Sequence, residues 1–164
     1  MAYLLDADVF IQAKNLHYGL DFCPAFWEWL IARNAENRVF SIEKVGDELE
    51  AGADERAAWA ANRGPGFFVK PDATMLPALG TVSAWVTGQH YEPAAISTFL
   101  QVADYYLVAH ALAHGQTVVT HEKASTSTKK IKIPEPCIGL GIKCMTPFEM
   151  LRKERARFVL GTSR

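Results

Sequence analysis

Four acidic residues, Asp6, Glu48, Asp104 and Glu122, with Asp8 as a fifth candidate, have the types and placement to share a divalent cation. Hard cations prefer carboxylate oxygens, and a Mg²⁺ site uses a few protein carboxylates, with water and substrate phosphate completing the shell. Acids gathered in a low-dielectric cleft repel one another, so a cation would be needed to keep them ionised. A metal held there can activate water and neutralise charge building on a phosphate, and no serine or cysteine nucleophile is required. Mg²⁺ and Mn²⁺ both suit carboxylate and water ligands, and the choice between them stays open.

These acids can meet only if the fold delivers them. Tyr3-Leu4-Leu5 is an apolar run halted by Asp6-Ala7-Asp8, and reads as a buried parallel strand with acids at its C-terminal end. A helix is expected over residues 24–37, with Phe26, Trp27, Leu30 and Ile31 at helical spacing and Pro24 in its first turn. Residues 38–41 form a second strand, with Ser41 capping a helix that starts near Ile42 and carries Glu48 and Leu49. Residues 54–62 are helical and stop at Gly64-Pro65-Gly66; residues 67–70 suit a strand or a packed loop equally. Helices are read over 73–89 and 93–99.

The plainest signal is the helix over 102–114, with Leu107, Val108, Ala111 and Leu112 on one face and Gly115 as its stop. A β-branched strand over 117–120 follows, then a polar, basic loop over 121–132, a last strand over 141–145 and a helix from Pro147 to about Phe158. Strands alternating with helices predict a three-layer α/β/α fold with a mainly parallel sheet, as a single domain over 1–164. Sites in such sheets form beyond the carboxyl ends of the strands, where Asp6 and Glu122 stand.

Each acid also has a plainer reading. Asp6 could merely end a strand, Glu48 lies in an acid-rich run with Glu43, Asp47 and Glu50, and Glu122 alone is a loop acid. Asp104 could serve the positive end of its helix dipole. Asp47 and Glu48 compete for the role of helix acid. His110 and His114 are one helical turn apart, but Ala111 stands where a metalloprotease helix would carry Glu, and packing is the better reading. Trp27, Trp29, Trp59 and Trp85 suit core or interface packing better than base stacking. Lys123, Lys129, Lys130 and Lys132 follow the acid cleft and could contact phosphate.

A net charge of −1 excludes little, because a neutral chain can still present a basic face to nucleic acid. Three cysteines without a CxxC pair read as reduced thiols. No apolar run approaches the roughly 20 residues of a membrane span, and Met1-Ala2-Tyr3-Leu4-Leu5-Asp6 lacks the basic start of a signal peptide. The expectation is a cytoplasmic protein.

The segment Leu4-Leu5-Asp6-Ala7-Asp8-Val9-Phe10-Ile11 resembles the opening of PIN-domain proteins of the VapC toxin kind, and residues 41–49 are similar to their second block. Residues 104–122 resemble their third and fourth: an Asp opens an Ala-rich helix, and a Gly turn leads to a strand ending Thr-x-acid. The tail Lys130-Ile-Lys-Ile-Pro134, with Cys137 and Gly141-Ile-Lys-Cys144, is similar to a PIN-like branch known as a domain of unknown function.

The resemblance implies an endoribonuclease using Mg²⁺ or Mn²⁺. Asp6, Glu48, Asp104 and Glu122 would be its acids, with Asp8 assisting and Thr120 orienting a ligand or water. Asp6, Asp8, Asp104 and Glu122 would hold the metal. It also implies RNA as substrate, an antitoxin protein as partner and a homodimer, for which the apolar circumference of the 24–37 helix offers a surface. Three positions depart from the family pattern: Asp8 stands for Asn or Ser, Glu122 for the commoner Asp, and Val45 for a frequent Thr. Rival readings are an inactive RNA- or protein-binding module and an RNA-processing or DNA-directed nuclease. A receiver-like domain would need a Lys after the last strand, whereas Lys143 is expected inside it.

Overall fold

In the computed structural model, which describes residues 1–161, five parallel strands form one sheet in the order β3-β2-β1-β4-β5. The strands are β1 (Tyr3–Leu5), β2 (Val39–Ile42), β3 (Phe68–Val69), β4 (Thr117–Val119) and β5 (Cys144–Met145). The last three positions of the expected domain lie outside the described residues. β1 is central because it is apolar throughout: Tyr3, Leu4 and Leu5 are all buried, as a strand covered on both faces requires. It pairs with β2 through Tyr3 and Val39, and with β4 through Leu5 and Val119.

The chain moves outward from β1 to β2 and β3, then returns across the sheet to β4 and β5 on the other side. The order therefore reverses between β1 and β4, and the carboxyl ends of those two strands open a crevice there. Asp6 lies at the end of one strand and Thr120 at the end of the other, joined by a hydrogen bond from the Asp6 N–H to the Val119 carbonyl, 2.9 Å.

Nine helices in the described residues connect and cover the sheet. They are α1 (Ala7–Gln12), α2 (Pro24–Ala35), α3 (Glu43–Glu50), α4 (Glu55–Ala61), α5 (Met75–Thr87), α6 (Pro93–Phe99), α7 (Ala103–His114), α8 (Pro134–Leu140) and α9 (Pro147–Lys153). Right-handed crossovers place α2 and α8 on opposite faces, because their connections run in opposite directions across the sheet. This is the expected three-layer α/β/α arrangement. Among the described residues, no helix is long and apolar enough to cross a membrane.

Several expectations change in detail. The chain turns helical immediately after β1, where no helix was expected: the Asp6 carboxylate accepts from the Ala7 N–H and caps α1, which runs on into a single π-helical turn, Ala13–His17. Ser41 is not a helix cap. It lies within β2, and its hydroxyl donates to the Leu5 carbonyl at 2.6 Å, leaving Ile42 at the start of α3. Residues 67–70 resolve to the short strand β3. Helix α8 was not expected; Pro134 and Pro136 both sit in its first turn, where their missing N–H groups cost nothing. The last strand is only Cys144–Met145, so Lys143 precedes it, and α9 stops at Lys153 before Arg155 adopts a left-handed conformation.

Helix α2 turns most of its apolar surface inward. Phe26, Trp27 and Leu30 are buried, and of the residues expected to offer a subunit surface only Ile31, 38% exposed, is substantially free. The broad apolar face read from sequence is core, because its Trp27 packs among Phe10, Phe26 and Trp59 in an aromatic cluster. At the centre of that cluster Phe10 meets Trp59 at 5.7 Å and Phe68 at 5.9 Å. Burying a side chain such as Phe10 contributes about 1.5–3 kcal/mol. It also locks α1, and with it Asp6 and Asp8, against the sheet edge.

Candidate active site

Asp6 is 6% exposed and its two oxygens have separate tasks. Oδ1 accepts from the Ala7 N–H at 2.7 Å, and Oδ2 accepts from the Thr120 hydroxyl at 2.8 Å. Asp8, two residues on, projects from the first turn of α1 to the end of β4. Its carboxylate accepts from the His121 N–H at 3.2 and 3.1 Å and lies 3.2 Å from the Thr120 hydroxyl. One hydroxyl proton cannot serve both acids fully, and the shorter distance favours Asp6. Thr120 itself is 1% exposed and also accepts the Glu122 N–H at 3.0 Å. Thr120 thus touches two carboxylates and the turn that carries a third.

Glu122 accepts from the Ile133 N–H at 3.1 Å, which ties together the two ends of the basic loop. The loop is held again where the Glu92 N–H donates to the Thr128 carbonyl, 2.9 Å. These ties lay Lys129 and Lys130 beside Asp104, in a cavity of about 470 Å³ whose wall also includes Glu48. A second cavity, about 500 Å³, is lined by Asp8, His121, Glu122, Lys123 and Lys132. The four lysines thus divide into two pairs, one in each cavity. Glu48 shares the cavity of Asp104, whereas Asp47 lines a different depression with Glu43, Glu50 and Lys70.

The electrostatics show that these acids sense one another. Burial pushes the Asp6 carboxyl well above the ordinary carboxylate range, Asp8 and Asp104 add to the rise, the Thr120 hydrogen bond opposes it, and Glu122 adds further. Asp104 is pushed up to about 6, first by burial and then by Glu122, Glu48 and Asp8, with Lys130 opposing. The positive end of α7 favours an ionised acid in its first turn, but burial and three acids outweigh it. A purely structural N-terminal acid would have no reason to face them.

Among the described residues, no three carboxylate, imidazole or thiolate groups are gathered as a formed metal site. The donor set still fits a hard cation. It consists of carboxylate oxygens around one buried, destabilised Asp6, and Mg²⁺ commonly uses one or two protein carboxylates with water and phosphate for the rest.

The two histidines on α7 take no part. His110 is buried with Nδ1 2.7 Å from the Gln116 side-chain oxygen, and His114 faces Asp72 at 3.1 Å. Sequence reasoning passed over three residues at the site: Ser41, which holds β2 to the end of β1, and His17 and Phe148, whose rings join that of His121 beside Asp8. His121 had a local signal, lying between Thr120 and Glu122; His17 and Phe148 had none.

A parallel sheet whose order reverses between β1 and β4, with helices on both faces, is a three-layer α/β fold of the PIN-like kind. The fold matches one chain of the crystal structure of VapBC2 from Rickettsia felis bound to a DNA fragment from their promoter, with a TM-score of 0.51 and 15% identity, covering 89% of this chain and 98% of that one. The chain belongs to the DUF4411 family, a domain of unknown function, whose model matches residues 3–158. No curated protein matches it by sequence.

Proposed function

We propose that the protein is a Mg²⁺- or Mn²⁺-dependent endoribonuclease, acting as a single 1–164 unit and as the toxin of a toxin–antitoxin pair. The observation that carries this reading is the hydrogen-bonded group of Asp6, Asp8 and Thr120 at the point where the strand order reverses, with Asp104 close enough to raise the Asp6 carboxyl.

Asp6, Asp8, Asp104 and Glu122 would hold the ion. When bound, it supplies Lewis acidity toward the phosphate and an activated water. The chain's own residues do the rest. Thr120 and the His121 N–H keep Asp6 and Asp8 in place. Glu48, exposed on the wall beside Asp104, takes the proton of the attacking water. Lys129 and Lys130 on one side, and Lys123 and Lys132 on the other, hold the RNA backbone across the acids.

An antitoxin polypeptide and a second copy of the chain are the proposed partners, and the cytoplasm the proposed site of action. The fold shared with a VapBC2 chain supports the antitoxin; the dimer rests on the family resemblance, since α2 faces the core.

Incubation of total cellular RNA with the purified protein, in Mg²⁺ or Mn²⁺ and in EDTA, beside Asp104→Asn, tests the reading. Cleavage that needs the metal and vanishes in the variant is expected. A folded, metal-loaded wild type as inert as the variant would instead establish a binding module or a DNA-directed enzyme.

A further inference from the structure

His17, from the π-helical turn after α1, and His121, from the turn after β4, lie ring over ring with centroids 5.6 Å apart and planes 29° from parallel. Phe148, from the first turn of α9, closes the group edge-on, 5.0 Å from His17 and 5.6 Å from His121. Three distant segments thus converge on one aromatic cluster. His17 is exposed and the other two rings are half-buried, so the cluster faces solvent rather than the core. It stands at the acid site, because the backbone N–H of His121 donates to both oxygens of Asp8. His121 also lines the cavity that holds Lys123 and Lys132.

Aromatic faces beside lysines, next to carboxylates, match the surface that a single strand of nucleic acid requires. The lysines take the phosphates, and the rings take a base that no partner strand covers. A duplex keeps its base faces stacked and cannot offer one to such a cluster. We propose that His17, His121 and Phe148 form a stacking seat for one unpaired base of RNA, on the Asp8 side of the acids, restricting the protein to single-stranded RNA. The proposal rests on the nuclease reading for its choice of RNA, but its test needs no turnover.

The full-length Asp104→Asn chain is titrated in Mg²⁺ with a fluorescently labelled single-stranded RNA 12-mer, followed by anisotropy. Its duplex and a 12-mer with abasic positions are run beside it. The single strand should bind about 5- to 150-fold more tightly than either, since stacking on aromatic side chains is worth about 1–3 kcal/mol per base. His17→Ala with His121→Ala should lose about tenfold without changing the salt dependence, whereas Lys132→Ala should flatten it. His17→Phe, which keeps a ring, should bind like the parent. Equal binding of the abasic and intact strands, unchanged affinity in the double variant, or no binding of the single strand would each overturn the seat. The abasic probe leaves the protein unaltered, so it decides even if a ring variant misfolds. A seat that is present without any metal-dependent cleavage by wild type would sink the nuclease reading and leave the seat standing. Cleavage by wild type, with intact and abasic strands bound equally, would do the reverse.

Discussion

The Thr120 hydroxyl lies 2.8 Å from Oδ2 of Asp6, across 114 positions of chain. This contact joins the ends of the two strands between which the sheet reverses, and it counters the rise that burial imposes on Asp6. Thr120→Val keeps the shape and removes the proton. Groups that hold a metal-binding carboxylate typically account for 10- to 100-fold in activity or affinity. A loss on the order of 10- to 100-fold in RNA cleavage by Thr120→Val is expected, with Thr120→Ser near wild type. Cleavage by Thr120→Val at the wild-type rate would remove Thr120 from the site.

Asp104 gives a dependence of stability on pH with a definite sign. Its carboxyl is pushed up to about 6 in the folded chain, against an ordinary value of 3.8. The folded state holds that proton more tightly, so this contribution is complete below pH 4 and is lost as pH rises through 6. A rise of about two pKa units corresponds to about 3 kcal/mol. Asp104→Asn, which cannot ionise, should therefore melt higher than wild type at pH 8 in EDTA, and the gap should close by pH 4. Equal melting temperatures at pH 8 would show that Asp104 is not under strain from its neighbours.

Addition of Mn²⁺ or Mg²⁺ should raise the melting temperature of wild type at pH 8, because a ligand that binds only the folded state stabilises it by mass action. The rise should shrink in Asp104→Asn. Calorimetric titration of the same pair, showing equal affinity in both, would place the ion elsewhere.

Adjacent acids on α3 should behave differently. Glu48 shares a wall with Asp104, and Asp47 faces another depression. Glu48→Gln should lower cleavage by on the order of 100-fold or more, as loss of a general base does. Asp47→Asn should leave it unchanged. The reverse ranking would reassign the helix acid.

A stability prediction away from the chemistry concerns Gly46. A Cβ there would stand 2.9 Å from the Phe68 ring, in the contact between α3 and β3. Gly46→Ala should destabilise the fold by about 1–3 kcal/mol, the usual cost of overpacking. Urea unfolding measures it, and an unchanged midpoint would show that Phe68 yields freely.

Local chemistry was enough for part of this protein. Tyr3-Leu4-Leu5 could only be a buried strand, and the helix–Gly115–strand run around Asp104 carried its own start, stop and period. Asp6, Asp104 and Glu122 were legible as acids because each follows a strand or opens a helix. Tertiary structure decided what lies across gaps that no period spans. It turned Ser41 from a helix cap into a tie between β2 and β1, since a buried hydroxyl takes the nearest carbonyl, that of Leu5. It set Glu48 beside Asp104 and Asp47 in another depression, because one step along α3 turns the side chain toward a different wall. It buried the apolar side of α2 that looked available to a partner. And it brought His17, His121 and Phe148 together, a meeting set by where α1 and β4 end and α9 begins, which no spacing within the sequence records.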